Sequence, residues 1–262
     1  VGDSCKRLDL DTRDCDEAPL TKRSRSKLHG FEFFRSIGSP KFVCAPMVDQ
    51  SELAFRMLVR RYGCSLAYTP MLHSRNFVES ATYRSQNFST CPEDRPLFVQ
   101  FCGDNPQTLV DASKHVQAQC NAVDINLGCP QGIARKGHYG AYLLEEADLV
   151  CSLVSSMYAE LEVPVTCKIR LLKPGTEDLQ STLNFCYGIQ AAGCSLITLH
   201  GRTKEMKGQH AGAADWEACK IVKNRIDIPL IVNGGIETFA DVERCMAQTG
   251  CDGVMSSEAL LE

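Results

Sequence analysis

From Lys41 onward, apolar residues gather in short continuous runs with polar, helix-type segments between them. Eight runs rich in Val, Ile and Leu recur, at 41–47 (KFVCAPM), 65–71, 96–103, 122–129, 163–171, 195–201, 229–235 and 251–257. Continuous rather than alternating runs predict strands buried on both faces. The intervening segments carry helix punctuation. SELAFRMLVRRYG (51–63) opens on a cap-type Ser51 and closes on Gly63, and NPQTLVDASKHVQAQ (105–119) places Asn105 at the N-cap with Pro106 in the first helical position. Segments 178–193 and 238–250 also end on glycine. Eight strands alternating with helices predict an α/β fold, a (β/α)8 TIM barrel; a doubly wound sheet is the alternative, weakened because no G-x-G-x-x-G follows the first strand.

In such a barrel, chemistry collects at the carboxyl ends of the strands. Met47, Asp49, Gln100, Asn126, Cys129, Lys168, Arg170, His200, Arg202 and Asn233 all fall there. Lys168 and Arg170 are two apart on one strand and share a side. A ligand anion or carbonyl, or else a rim carboxylate, is expected to meet them. The glycines of Asn233-Gly234-Gly235 and the eighth-strand segment 253–257 suit a phosphate site, although NGG alone could be an ordinary turn. His200 reads either as a hydrogen-bonded core residue or as part of the rim site. Gln100, an amide in an apolar strand, needs partners that a ring with donors and acceptors would supply. Loops 134–140 and 201–208 carry several cations, as phosphate-backbone contacts require or as solvated loops often do.

Residues 1–40 form a charged, weakly periodic N-terminal extension with the basic run KRSRSK (22–27), read as a solvated tail, a nuclear address or an RNA-touching arm. Residues 41–262 form the barrel domain, expected to be truncated near its eighth strand. The net charge of −4 gives no global argument for nucleic acid, so any positive charge for RNA must be local. The 15 cysteines show no C-x-x-C pair, so a metal site is not expected and the thiols read as small hydrophobes in a reducing compartment. No apolar run approaches the ~18 residues of a membrane span. The start shows no signal-peptide pattern, and a chain opening on Val1 is expected to be a cut fragment. A monomer in the cytoplasm is expected, with the nucleus open through the basic run.

The segment DINLGCPQGIARKGHYGAYL (124–143), with APM (45–47), FVQFCG (98–103), KIR (168–170), LHGR (199–202) and NGGI (233–236), resembles the tRNA-dihydrouridine synthases. The Cys129 segment together with MVDQSELAFRMLVRRYG (47–63) is most similar to the eukaryotic branch acting at uridines sixteen and seventeen of the tRNA D-loop. The resemblance implies FMN across the barrel mouth, reduced by NADPH or NADH, and tRNA as partner. It implies that Ala45, Pro46 and Met47 pack against the flavin. Gln100 and Lys168 would bond its pyrimidine edge, His200 would lie beside it, and Asn233, Gly234 and Gly235 would hold its phosphate. Asn126 and Arg170 would grip the flipped uracil, and Arg135, Lys136 and Arg202 would contact the tRNA. Where the family commonly has Gly-Arg, this chain has Ser256-Ser257, so backbone or serine hydroxyls are expected at that phosphate contact. The family continues into a C-terminal helical domain, expected to be missing here, so this chain is expected to keep FMN and bind tRNA weakly.

Cys129 sits between Gly128 and Pro130 in a turn that a packing cysteine does not need. Reducing a uracil C5–C6 bond takes a hydride on one carbon and a proton on the other. A thiol of ordinary pKa near 8.5 stays mostly protonated near neutral pH and suits the proton transfer, so Cys129 is the expected general acid. Three other readings stay open: an FMN-dependent barrel dehydrogenase acting on a free pyrimidine-type molecule, an aldolase-type barrel with Lys168 as Schiff-base amine, and an RNA-binding barrel without turnover.

Overall fold

A computed structural model describes residues 27–176, 178–208 and 211–262. Every one of the eight apolar runs forms a parallel strand. The strands are β1 (Phe42–Cys44), β2 (Leu66–Tyr68), a two-residue β3 (Leu72–His73), β4 (Leu97–Cys102), β5 (Ala122–Leu127), β6 (Val165–Arg170), β7 (Cys194–His200), β8 (Leu230–Asn233) and β9 (Gly253–Ser256). The barrel closes where Ala67 of β2 pairs with Leu97 of β4 and where Phe42 of β1 pairs with Val254 of β9. The short β3 lies outside this ring, paired to the end of β4. All six residues of β4 and of β5 are buried, as continuous apolar runs require.

Ten helices are described: α1 (Gly30–Ser36), α2 (Leu53–Arg61), α3 (Ser74–Glu79), α4 (Ala81–Asn87), α5 (Pro106–Lys114), α6 (Gly132–Lys136), α7 (Ala147–Glu160), α8 (Leu179–Ala191), α9 (Trp216–Lys223) and α10 (Phe239–Thr249). Asn105 caps α5 as expected, its side chain accepting from the Thr108 N–H at 2.9 Å. Helix α10 opens with a capping box between Thr238 and Asp241 and ends on Gly250 at φ +66°, a left-handed position that glycine adopts without strain. Ser51 does not cap α2. Glu52 holds that position, and the Ser51 hydroxyl instead accepts from the Met47 N–H at 2.9 Å, bracing the turn after β1.

Side chains alternate between two cores. Outward residues such as Val99, Ile125, Ile169, Leu199 and Val232 pack under the helices. Inward residues Val43, Leu66, Phe98, Leu196, Ile231 and Met255 fill the lower barrel with Phe33 and Phe34 of α1. The Phe33 ring stacks on Phe98 at 5.8 Å. Burying each of these phenylalanines contributes roughly 2–3 kcal/mol, so α1 is the floor of the barrel. Helix α1, which lies in the expected 1–40 extension, thus packs into the barrel: its two aromatics lie among charges in sequence and find their apolar partners only in three dimensions. Of the basic run 22–27, only Lys27 lies within the described residues.

Candidate active site

Above this apolar floor the inward positions turn polar. Strand register sets Gln100 beside Asp124, Asn126 beside Lys168, Arg170 beside His200, and His200 beside Asn233. The Lys168 Nζ donates to Asn233 Oδ1 at 2.9 Å, while Asn233 Nδ2 donates to the Met255 carbonyl at 3.0 Å. Burial, with the adjacent Arg170 charge, pushes Lys168 down to about 8. Burial and then Arg202 bring Arg170 down to about 10, so it stays charged near neutrality. Burial and the three cations Lys168, Arg170 and Arg202 push His200 down to about 2, which leaves its ring neutral. The mouth thus holds a positive field suited to a ring that gains negative charge, or to a phosphate.

The cysteine turn is tied down from several directions. Asn126 Oδ1 accepts from the backbone N–H groups of Gly128 (3.2 Å) and Cys129 (3.0 Å). The Ala141 N–H donates to the Cys129 carbonyl at 3.0 Å. Arg170 Nε donates to the Gly128 carbonyl at 2.7 Å, and its Nη1 donates to the Thr203 carbonyl at 3.0 Å. Lys207 Nζ reaches the Pro130 carbonyl at 2.6 Å. Arg170 and Lys207 thereby bind loop 201–208 to the turn that carries Cys129. The Cys129 thiol is free and half-buried beside Cys102, Ala134 and Tyr139.

On the opposite side, Gly234 stands at φ +100°, and a Cβ there would lie 2.7 Å from His200 Cδ2. Only a glycine lets this backbone pass so close to the imidazole. Its carbonyl accepts from Trp216 Nε1 at 3.0 Å, and Gly235 follows at φ +73°. Ser256 Oγ donates to the Ile236 carbonyl at 3.2 Å, and the Ala45 N–H donates to the Ser256 carbonyl at 2.9 Å. The Ala45-Pro46-Met47 turn, the 233–236 turn and Ser256-Ser257 are thus neighbours on one side of the mouth.

The structure assigns several expected residues differently. Gln100 is fully buried beneath Asn126; the partners expected from a flavin are met instead by Asp124 and Asn126, at 2.8 Å each. Arg202 is half-buried, with Nε on the Gly212 carbonyl at 3.0 Å and Nη1 3.3 Å from His200 Nε2. Lys204 pairs with Glu145. The cations of loop 201–208 are therefore largely engaged within the protein, whereas Arg135 and Lys136 on α6 are exposed.

Two groups escaped sequence reasoning. One is Asp124 with Thr166, both fully buried under the mouth; each sits two residues before an expected site residue, the same-face spacing of a strand. The other is Arg56, 1% exposed and bound to Asp94 at 2.7 Å and to the Ser51 carbonyl at 2.8 Å, behind the Met47 turn. Among the described residues no cluster of three His, Cys, Asp or Glu could hold a metal, and no helix is long and apolar enough to cross a membrane.

The chain is 51% identical over 238 residues to a Mus musculus tRNA-dihydrouridine(16/17) synthase-like protein, covering 90% of this chain and 49% of that one. It is 47% identical to the Schizosaccharomyces pombe tRNA-dihydrouridine(16/17) synthase, covering 90% and 59%. A Mus musculus tRNA-dihydrouridine(20a/20b) synthase-like protein is 40% identical, covering 94% and 74%. The chain spans about half the length of the (16/17) relatives it matches. In fold it is similar to histamine dehydrogenase from Rhizobium sp. 4-9, with TM-score 0.60 at 11% identity over 84% of this chain and 45% of that one. The dihydrouridine synthase model matches residues 43–262, so this chain belongs to the dihydrouridine synthase (Dus) family.

Proposed function

We propose that the chain is the catalytic barrel of an enzyme that reduces uridine to 5,6-dihydrouridine in the D-loop of tRNA, at positions sixteen and seventeen. Greater identity to the (16/17) relatives, 47–51% against 40–41% for the mammalian (20a/20b) ones, supports the position. The single observation that carries the chemistry is a half-buried free thiol on a turn fixed by Asn126, Arg170 and Lys207, at the end of the strand paired to the one that carries Lys168.

FMN is the cofactor that suits the mouth: the field of Lys168, Arg170 and Arg202 favours a ring that becomes anionic and also a phosphate. NADPH or NADH would reduce it, in keeping with the NAD(P)(+) in the relatives' names. When bound and reduced, FMN supplies the hydride. Lys168 would hold its pyrimidine edge, with Gln100 supporting from beneath. The neutral His200 would lie against it, backed by Ala45, Pro46 and Met47, and Asn233, Gly234, Gly235, Ser256 and Ser257 would hold its phosphate. The uracil, flipped from the tRNA, would enter beside Asn126 and Arg170. Cys129 would protonate the carbon that does not receive hydride. Arg135 and Lys136 would contact tRNA phosphates, with Arg202 contributing charge at the rim.

Free cysteines among the described residues support a reducing, cytoplasmic setting. The exposed Arg135 and Lys136 disfavour a free-pyrimidine dehydrogenase, which has no use for them. Mapping dihydrouridine in tRNA from cells lacking the protein tests the reading. Loss at positions sixteen and seventeen, restored by the protein, is expected; unchanged dihydrouridine there would overturn it.

A further inference from the structure

Asp124 is a buried carboxylate that the proposed chemistry does not use. It lies at the start of an unbroken hydrogen-bond relay that ends on the backbone of Cys129. Thr166 Oγ1 donates to its Oδ1 at 2.6 Å and Gln100 Nε2 to its Oδ2 at 2.8 Å. Asn126 Nδ2 donates to Gln100 Oε1 at 2.8 Å, and Asn126 Oδ1 accepts from the Gly128 and Cys129 N–H groups.

Every bond in this relay is donated toward the carboxylate, and that direction has a cause. An ionised carboxylate only accepts, so it forces the nitrogen of the Gln100 amide to face it. The Gln100 oxygen must then face Asn126, and only the Asn126 nitrogen can meet it. The Asn126 oxygen is left facing the turn, where two N–H groups require an acceptor. Reversing the Gln100 amide would reverse Asn126 and set an NH₂ group against two backbone donors, which leaves buried polar groups unpaired. Asn126 and Gln100 are otherwise symmetric in shape, so packing alone does not choose between these orientations.

We infer that Asp124 is a positioning residue that, held by Thr166, presents an acceptor to Gln100 and so fixes the Gln100 and Asn126 amides and thereby the Cys129 turn. This rests on the proposed role of Cys129 for its functional meaning, but the structural relay can be measured without FMN or tRNA. Burial pushes the Asp124 carboxyl up to about 6, opposed by the hydrogen bonds from Thr166 and Gln100 and by the Lys168 charge on the neighbouring strand, so it is ionised near neutrality.

The test is amide hydrogen exchange of Gly128 and Cys129 in the chain without added flavin or tRNA, with Val232 of β8 as internal reference for an intact fold. Asp124→Asn keeps an acceptor for Gln100 and can donate to the Thr166 hydroxyl, so exchange at both amides should stay within about threefold of the unmodified chain. Asp124→Ala removes the acceptor, and Gln100→Met breaks the relay at similar volume. Each should speed exchange at Gly128 and Cys129 by about 5- to 30-fold, the equivalent of one or two hydrogen bonds, with Val232 unchanged. If Asp124→Ala does not fold, Gln100→Met carries the same test. Unchanged exchange in Gln100→Met, or an Asp124→Asn chain loosened as much as Asp124→Ala, would overturn the inference. Failure of the unmodified protein to reduce tRNA uridine would sink the functional reading while leaving this exchange pattern in place.

Discussion

Gly140 offers a test of whether the position of Cys129 matters, because a single methyl group added there must move it. Gly140 stands at φ +69°, and a Cβ would lie 2.7 Å from the Cys129 carbonyl oxygen and 3.0 Å from its Cβ. Relief to an ordinary contact of 3.4 Å needs a shift of about 0.7 Å (3.4 − 2.7). The carbonyl cannot turn aside freely, since it accepts from the Ala141 N–H at 3.0 Å. The left-handed backbone adds roughly 1–2 kcal/mol for alanine, and weakening that hydrogen bond adds about 1 kcal/mol. Gly140→Ala should therefore lose about 2–3 kcal/mol of stability, a fall in Tm of about 4–12 °C for a domain of this size. Misplacement of a reacting group by ~1 Å costs up to ~10²-fold, so dihydrouridine formation should slow by about 10- to 100-fold while flavin affinity stays unchanged. Gly132→Ala, at the start of nearby α6, is the control, with nothing within 4 Å of its added Cβ. The assays are thermal unfolding, flavin titration and turnover on unmodified tRNA. Gly140→Ala with turnover within twofold of the unmodified enzyme would refute the reasoning.

Three further outcomes are expected. Arg56→Met leaves buried Asp94 with only Arg60 and Thr90, and should destabilise by about 3–5 kcal/mol; urea unfolding checks it, and a loss below about 1 kcal/mol would contradict it. His138 contacts Asp104 and Glu146 at 2.7 Å each, and these bonds raise its pKa. A raised folded pKa means that its stabilising contribution is full below the ordinary 6.5 and is lost as pH rises through the folded value. Proteolysis of the segment 132–140, α6 and the turn after it, should accordingly accelerate from pH 6 to pH 8.5, and His138→Gln should flatten that dependence. Lys168 is held at about 8 by burial, below its ordinary 10.5, so its charge disappears as pH rises through about 8. Flavin affinity measured by fluorescence should fall across that range, and Lys168→Met should remove the dependence.

The eight strands are legible in sequence because each is an apolar run buried on both faces, and the rim residues because they end those runs. Asp124, Thr166 and Thr198 are harder to see for the same reason: a polar residue inside a strongly apolar run reads as an interruption. Period-two spacing back from Asn126, Lys168 and His200 marks all three as inward-facing, and the structure buries each fully. The role of Gln100 was visible as a need for partners, but the partners lie 24 and 26 residues away and are supplied by folding. Arg56 carries no local signal, since an arginine on an amphipathic helix looks solvated until the chain brings Asp94 against it.

Cys129→Ala in the flavin-loaded enzyme tests the central claim most directly, read as the rate at which reduced flavin is reoxidised by tRNA uridine. Flavin and tRNA affinities should match the unmodified enzyme while that rate falls by ~10²–10⁴-fold. An unchanged rate with dihydrouridine formed would remove the thiol from the reaction and contradict the account.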